Sequence, residues 1–355
     1  MKVTARGNVT RGSAAIGAVL AAALAAASVV VVASWLAAPS ARAADDKSFV
    51  MKISLATVDD VLHQYAKNYA AALTQDSNGR IKAEVYPASQ LGSIQRQAEG
   101  VQFGAIQCQV VPPEFLVGID ERFELLTAPG LVRNLMEGQR LAADPAVREL
   151  MLGLGADKGL HGVALFMVTP SSVIARMPIR RLADFQGKKI RIFASQFQSV
   201  AIKRLGAIPK PMTLAEVLPA LQDNSIDGAI SNTANFTAMH YVDAAKYVTE
   251  IGQPAIFAVV EISKKWYDTL PPELQQVVDK DAAAQAVAIV PQTAEIDGRA
   301  RKAWVDGGGE LISLSADDQT AMLKILAGVG DEVSNAKPQL SAAYKIVTEA
   351  AQRMK

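Results

Sequence analysis

Arg191 stands inside a short apolar strand that follows a turn at Gly187. Side chains alternate between the two faces of a strand, so Arg191 shares a face with Phe193 while the flanking isoleucines take the packed face. Ligands bind at the carboxyl ends of strands in open α/β sheets, and a guanidinium matches a carboxylate with two N–H donors. The strand therefore predicts an anion receptor. The alternative is a structural ion pair between the arginine and Glu216 or Asp227.

The rest of the chain lacks the sequence motifs of common catalytic centres. No Gly-x-Ser-x-Gly elbow is present, and the three histidines, at 63, 161 and 240, stand singly instead of at zinc-ligand spacing. The glycines between Gly153 and Gly159 have the wrong spacing for a dinucleotide loop and precede a strand instead of following one. These observations predict a binding protein without cofactor or metal. A secreted enzyme that uses the same cleft is an alternative.

The first 43 residues have the pattern of a signal peptide. A basic start with Lys2, Arg6 and Arg11 precedes a long uncharged Ala/Val-rich stretch, and Ala41-Arg42-Ala43 fits the small-x-small cleavage rule. Cleavage is predicted after Ala43, which places the mature chain in the periplasm. Because the apolar stretch is long enough to span a bilayer, an uncleaved anchor is the alternative. The net charge of +1 does not favour a nucleic-acid partner, and a single cysteine excludes an internal disulfide.

Hydrophobic periodicity after the leader predicts two βα series. The first alternates strand and helix from Phe49 to Pro112, which favours a parallel sheet covered by helices. Residues 162–168 form another predicted strand, which a break at 170–172 ends before the second series begins. A capping box of Thr213 and Glu216 predicts a helix over 214–222. The two series indicate two α/β lobes around a cleft.

The carboxyl-terminal third reads mainly as helix. A long Ala-rich pattern follows Pro272 and reaches about Trp304, and Pro291 inside it predicts a kink. Residues 316–353 are predicted to be helical throughout.

An ordered set of motifs resembles the extracytoplasmic solute-binding proteins of tripartite ATP-independent periplasmic (TRAP) transporters, the dicarboxylate-binding subunit family. The resemblance covers nearly all of the chain after residue 43. The motifs are Asn78-Gly79-Arg80-Ile81, Tyr86-Pro87-Ala88-Ser89-Gln90-Leu91-Gly92, residues 184–191, residues 205–212, Glu216-Val217, Ala220-Leu221-Gln222 and Ile226-Asp227-Gly228.

The resemblance implies a two-lobed periplasmic-binding-protein clamshell, each lobe a mixed sheet flanked by helices, with the long kinked helix linking the lobes. Residues 44–168 with 257–296 are expected to form lobe I, and residues 169–256 with 297–355 lobe II. The implied partners are a small organic acid and the small and large integral membrane permease subunits of a transporter. A monomer is expected. A sensory protein that presents its ligand to a receptor is the alternative.

The resemblance also assigns site residues. The family's carboxylate-clamping arginine falls on Arg191, and a second arginine that many members carry corresponds to Ser171. The family's asparagine falls on Ser231, with Asn232 just beyond, and Leu214 stands where phenylalanine is common. The predicted ligand-binding residues are Arg191, Ser171, Leu214, Ser231, Asn232, Phe193, Met212 and Gln109.

These substitutions remove hydrogen-bonding groups from the implied pocket. Ala56-Thr57 and Val111-Pro112, in the first lobe, also stand near positions that are polar in sugar-acid binders. A hydroxyl-rich ligand would leave polar groups unpaired against such walls, at about 1–3 kcal/mol each. The sequence therefore predicts a monocarboxylate with an apolar or aromatic body. For Leu214 and Met212, ordinary core packing is the alternative.

Overall fold

The computed structural model describes residues 47–354, so the predicted signal peptide and its cleavage site lie outside the described residues. The chain from Ser48 onward forms one compact unit. Its strands are β1 (Phe49–Ser54), β2 (Ile81–Tyr86), β3 (Cys108–Val111), β4 (Leu160–Ala175), β5 (Lys189–Ile192), β6 (Ile208–Pro211), β7 (Gly228–Ser231), β8 (Tyr247–Ser263) and β9 (Glu310–Ser313). Its α-helices are α1 (Val61–Asp76), α2 (Ile94–Phe103), α3 (Leu135–Ala143), α4 (Pro145–Gly153), α5 (Gln196–Arg204), α6 (Leu214–Gln222), α7 (Thr233–Ala238), α8 (Lys264–Tyr267), α9 (Pro272–Asp306), α10 (Ala316–Leu326), α11 (Val329–Ser334) and α12 (Pro338–Arg353).

The described strands join one mixed sheet in the order β2-β1-β3-β8-β4-β7-β5-β6, with β9 paired to β8. The strand pairs at the two ends are parallel, β1 with β2 and β3, and β5 with β6 and β7. In the middle, β8 is antiparallel to β3 and β4, and β4 is antiparallel to β7. Parallel neighbours need crossover connections, which the helices of the two βα series provide. The mixed α/β fold predicted from the sequence is confirmed.

Two long strands, β4 and β8, pair along most of their length through the centre of the sheet. The strand break predicted at 170–172 is wrong, because β4 continues to Ala175. Pro170 is tolerated since the ladder is irregular around it, with register shifts between Met167 and Thr169 and between Pro170 and Ser172. The predicted lobe boundaries at 168/169 and 256/257 therefore fall inside strands, and the lobe assignment stays a prediction.

The long helix predicted after Pro272 is present as α9, which runs for 35 residues with Pro291 inside it. It packs on α1, where the Tyr65 hydroxyl donates to the Ala282 carbonyl at 3.0 Å. Residues 316–353 are mostly helical, as predicted, but not throughout, because breaks at 327–328 and 335–337 divide the segment into α10, α11 and α12. Gly328, with φ 77°, separates the first two helices in a conformation that only glycine adopts readily.

The core confirms the two faces predicted for β5. Ile190 and Ile192 are fully buried in one hydrophobic cluster together with Phe185 and Leu205. Helix α6 packs Leu214 into a separate cluster on the other side. Because the isoleucines fill one face of the strand, Arg191 is left on the opposite face, towards a pocket.

Within residues 47–354, no helix combines the length and the apolar character needed to cross a bilayer.

Candidate ligand-binding pocket

Arg191 lies near the carboxyl end of β5 and is almost completely buried, with 1% of its surface exposed. Its Nε donates to the Met212 carbonyl and its Nη1 to the Ile230 carbonyl, both at 3.0 Å. The guanidinium carbon lies 4.6 Å from the centroid of the Phe193 ring and 6.0 Å from that of Phe115. Two backbone carbonyls and two aromatic rings therefore hold the guanidinium in one orientation.

The ion pair considered as an alternative role for Arg191 is not formed. Among the described residues, no carboxylate lies within salt-bridge distance of this guanidinium. Asp227 instead pairs with Arg176 at 3.0 Å, and a Glu216 oxygen accepts from the backbone N–H of Thr213 at 2.7 Å. Burial lowers the pKa of Arg191 to about 10, so the group stays charged at neutral pH. A buried cation without a counter-ion is costly, and an incoming carboxylate would relieve that cost.

The guanidinium borders a pocket whose lining residues come from distant parts of the chain. Strands from the beginning and middle of the chain and the amino-terminal ends of several helices meet around it. The apolar lining includes Ile94, Val111, Phe115, Phe193, Leu214 and Ile256. The polar lining consists of Thr57, Asp60, Gln109, Arg191, Ser231, Asn232 and Asn235. The pocket thus combines aromatic and aliphatic walls with one cation, one carboxyl group and several neutral polar groups.

The acidic lining residue, Asp60, caps the amino terminus of α1. Its Oδ1 accepts from the Thr57 hydroxyl at 2.9 Å and from the His63 backbone N–H at 3.0 Å. Its Oδ2 is buried and has no hydrogen-bond partner within the described chain. Burial raises the pKa of Asp60 to about 6. The His63 N–H, the Thr57 hydroxyl and the backbone N–H groups of Leu62 and Asp60 itself oppose this rise. Asp60 is therefore mostly ionised at neutral pH and mostly neutral at pH 5.

Amide side chains supply further polar groups to the pocket. Gln109 Nε2 donates to the Ile94 carbonyl at 3.1 Å, while its Oε1 is buried without a partner in the described chain. Asn232 caps α7 by accepting from the backbone N–H of Asn235 at 2.8 Å. The Asn235 amide in turn lies 3.2 Å from the Ser231 hydroxyl. These contacts fix the polar side of the pocket through helix caps and a strand end.

A second carboxyl group lies close to Arg191 but outside the pocket lining. Glu114 sits in a buried 3₁₀ turn at Pro113–Leu116, directly before Phe115. Neither of its oxygens has a hydrogen-bond partner within residues 47–354. Burial raises the pKa of Glu114 to about 8. The backbone N–H of Glu114 and the positive charge of Arg191 only partly offset this rise. Glu114 is therefore mostly neutral at pH 7 and does not cancel the charge of the arginine.

Six of the eight predicted site residues border this pocket, namely Arg191, Phe193, Leu214, Ser231, Asn232 and Gln109. The other two lie elsewhere. Met212 contributes its carbonyl to Arg191, and its side chain packs beside the α6 cluster. Ser171 borders a neighbouring cavity, which shares Asn232 with the first one. The assignment of ligand contacts to these eight residues stays a prediction.

Sequence reasoning missed Asp60, Phe115 and Asn235 as lining residues. Asp60 carried a usable signal, because an aspartate directly before the apolar start of a helix is a typical cap. Asn235 lies three residues after Asn232. This is the usual spacing between a helix-capping side chain and the backbone N–H from which it accepts a hydrogen bond. Nothing local marked Phe115, which reaches the pocket through a 3₁₀ turn.

Comparison with known proteins agrees with this architecture. The family model for the bacterial extracellular solute-binding protein, family 7 (DctP), matches residues 54–336. The C4-dicarboxylate-binding periplasmic protein DctP of Rhodobacter capsulatus is 27% identical over 263 residues, which cover 73% of this chain and 78% of that protein. The 2,3-diketo-L-gulonate-binding periplasmic protein YiaO of Escherichia coli is 28% identical over 224 residues, covering 63% of this chain and 68% of that protein.

Solved structures show the same fold. A TRAP periplasmic solute-binding protein from Desulfovibrio salexigens with bound orotic acid superposes with a TM-score of 0.81 at 21% identity, covering 87% of this chain and 100% of that chain. One from Xanthobacter autotrophicus Py2 with bound β-D-galacturonate has a TM-score of 0.76 at 25% identity, covering 84% of this chain and 99% of that chain. The chain therefore belongs to family 7 of the bacterial extracellular solute-binding proteins, the DctP family of TRAP transport systems.

Proposed function

We propose that this protein captures a small organic acid in the periplasm through Arg191 and delivers it to the membrane permease subunits of a TRAP transporter. The observation that carries this proposal is the buried guanidinium of Arg191, which borders the pocket and forms no ion pair with any described residue. A ligand carboxylate would supply the missing counter-charge. In a site shielded from water, such a charge-assisted pair is stronger than the same pair at the surface.

The lining supports a ligand with one carboxylate and an apolar or aromatic body. Arg191 is the single cationic residue among those that border the pocket. The Phe115 and Phe193 rings, whose centroids lie 5.2 Å apart, form a wall beside it. A flat ring or an aliphatic body can pack on this wall, whereas a second carboxylate would find no second cation there. This ligand would differ from the sugar acid and the C4-dicarboxylates named for similar proteins.

Delivery requires the pocket to open and close. We propose that residues 44–168 with 257–296 and residues 169–256 with 297–355 act as the two lobes of a monomer. The irregular ladder of β4 between Met167 and Ser172 supports a hinge at the first crossing, because disrupted pairing bends most easily. Closure around the acid would exclude water and present a single surface to the permease.

Mass spectrometry of acids released from purified protein, followed by calorimetry with each acid found, tests this function. We expect a carboxylic acid that is recovered chemically unchanged after prolonged incubation, and whose binding Arg191→Gln removes. Retention of a ligand without any acidic group would contradict the proposed role of Arg191. Conversion of the acid to a product would show an enzyme instead.

A further inference from the structure

Two buried oxygen atoms belong to the same pocket as Arg191 and lack hydrogen-bond donors of their own within residues 47–354. They are Oδ2 of Asp60 and Oε1 of Gln109. Both residues are almost fully buried, with 2% and 1% of their surfaces exposed. Buried polar atoms are nearly always paired in folded proteins, so two unpaired acceptors in one pocket call for an explanation.

The chemical identity of these two atoms follows from their neighbours. The hydrogen bonds from the Thr57 hydroxyl and the His63 N–H both go to Oδ1 of Asp60, and Oδ2 has no hydrogen-bond partner of its own within the described chain. The Gln109 amide faces the Ile94 carbonyl at 3.1 Å. A carbonyl can only accept, so the nitrogen must be on that side and the free atom is an oxygen.

A third unpaired oxygen, Oδ1 of Asn235, carries less weight. Its amide nitrogen lies near the Ser231 hydroxyl, which can either donate or accept. The amide could therefore be turned round without loss of that contact, and the free atom would then be a donor. The inference accordingly rests on Asp60 and Gln109 alone.

We propose that the ligand carries an N–H or O–H donor in addition to its carboxylate, and that Asp60 and Gln109 receive this donor. The pocket would then select hydroxy, amino or N-heterocyclic acids over donor-free acids of the same shape. This inference rests on the proposed function, because it assumes that the carboxylate is bound by Arg191. It narrows the ligand body from simply apolar to apolar with one polar edge.

Charge supports the same ligand class. Arg191 and ionised Asp60 give the pocket one positive and one negative group. A carboxylate at the arginine and a donor at the aspartate would match both groups. A donor-free acid would satisfy only Arg191 and would leave a buried carboxylate without hydration, which disfavours its binding. The acceptors therefore act by excluding the wrong acid as well as by holding the right one.

Calorimetry with matched pairs of acids tests the proposal on the full mature chain at pH 7.5. Suitable pairs are pyrrole-2-carboxylate with furan-2-carboxylate, 3-hydroxybenzoate with benzoate, and trans-4-hydroxycyclohexanecarboxylate with cyclohexanecarboxylate. In at least one pair we expect the donor-bearing acid to bind at least tenfold more tightly. Equal or tighter binding of the donor-free acid in every pair overturns the inference and leaves the proposed function standing. If neither these acids nor a broad carboxylic-acid library binds, the proposed function fails, and the inference fails with it.

The variant Asp60→Asn distinguishes a role of Asp60 in binding the ligand's donor from its role in capping helix α1. Asparagine is a good helix cap, so the start of α1 is kept while the charged acceptor is lost. We expect at least a tenfold loss for the donor-bearing acid. Its donor-free counterpart should bind equally well or more tightly, because the buried carboxylate that disfavours it is lost. Asp144→Asn, the same change at the cap of α4 outside the pocket lining, is the matched control.

Equal losses for both acids in Asp60→Asn would mean that Asp60 only supports the fold, and would overturn its assigned role. If Asp60→Asn does not fold, Gln109→Met provides the same comparison at the second acceptor. It should reduce the preference for the donor-bearing acid by at least threefold. An unchanged preference in this variant contradicts the proposal.

Discussion

Arg191 and Arg301 border neighbouring cavities of this protein, and they differ in whether a nearby acidic side chain forms an ion pair with them. In the second cavity, Arg301 forms an ion pair with Glu250, which also accepts from the Ser313 hydroxyl at 2.9 Å. In the first pocket, Arg191 donates to backbone carbonyls, and the acid near it is Glu114. Both arginines therefore lie near an acidic side chain, but only the charge of Arg301 is neutralised by an ion pair.

The pKa values of the two acids explain the difference. For Glu114, burial dominates and raises the pKa to about 8. For Glu250, burial also acts to raise the pKa, but the hydrogen bonds from Arg301 and Ser313 outweigh it and lower the pKa overall. In the second cavity, the charge of Arg301 is thus neutralised by Glu250. In the first pocket, Arg191 has no ion-pair partner among the described residues, so its guanidinium remains free to pair with a ligand anion, and we expect only this pocket to bind an acid.

The largest expected effect on binding comes from removing the charge of Arg191. Arg191→Gln should weaken acid binding at least a hundredfold, about 3 kcal/mol, since the amide keeps a donor for the carbonyls but loses the cation. Calorimetry measures the loss. Arg301→Gln, the same change in the second cavity, should alter affinity less than threefold. Similar losses in both variants would break the contrast between the two cavities. Glutamine is preferred to alanine, which would leave two buried carbonyls unpaired.

A second expected effect concerns the neutral state of Glu114. In the unfolded chain this carboxyl ionises near its usual pKa of 4.5, but in the folded protein only near 8. The folded state therefore holds an extra proton between these values, and stability must fall as pH rises through this window. Glu114→Gln should unfold at the same urea concentration as the wild type at pH 4.5. At pH 8.5 it should be more stable by about 4 kcal/mol. A wild type with no such loss of stability would mean that Glu114 is ionised and pairs with Arg191.

The pH dependence of binding gives a smaller expected effect. Because the pKa of Asp60 is about 6, lowering the pH from 7 to 5 protonates its carboxyl and removes the ionised acceptor. Affinity for a donor-bearing acid should fall about tenfold over this range, as the ionised fraction does. Calorimetry at several pH values checks this, with a flat profile expected for Asp60→Asn. If the affinity of Asp60→Asn still depended on pH in this range, the titrating group would be a residue other than Asp60.

The smallest expected effect is at Ser171. Its hydroxyl is buried and unpaired within the described chain, but it borders the second cavity with Arg301. Ser171→Ala should therefore change acid affinity by less than about twofold in calorimetry. A loss of tenfold or more would show that the ligand extends into the second cavity, and would restore the predicted contact. Thr169→Val, at the other unpaired hydroxyl of this cavity, is the matched control.

Local chemistry made much of the fold predictable. The alternation of Ile190 and Ile192 with Arg191 determined which side of β5 is packed, and the capping box at Thr213 placed α6 with its observed limits. Proline was a less reliable guide. Pro170 suggested a break where β4 continues, because a bulge in the ladder accommodates it. The effect of a proline depends on the neighbouring strand, which the local sequence does not reveal.

For the site, the sequence by itself determined that Arg191 is an inward-facing cation near the carboxyl end of a strand, since that follows from a period of two residues. Only the tertiary structure decided what surrounds it. Asp60, Glu114 and Arg191 are far apart in the chain and come together through packing of the first and second βα series. Their burial, which sets whether each carboxyl is charged, depends on that packing. The same packing placed Ser171 in a different cavity and left Asp60 with an oxygen free to receive a donor.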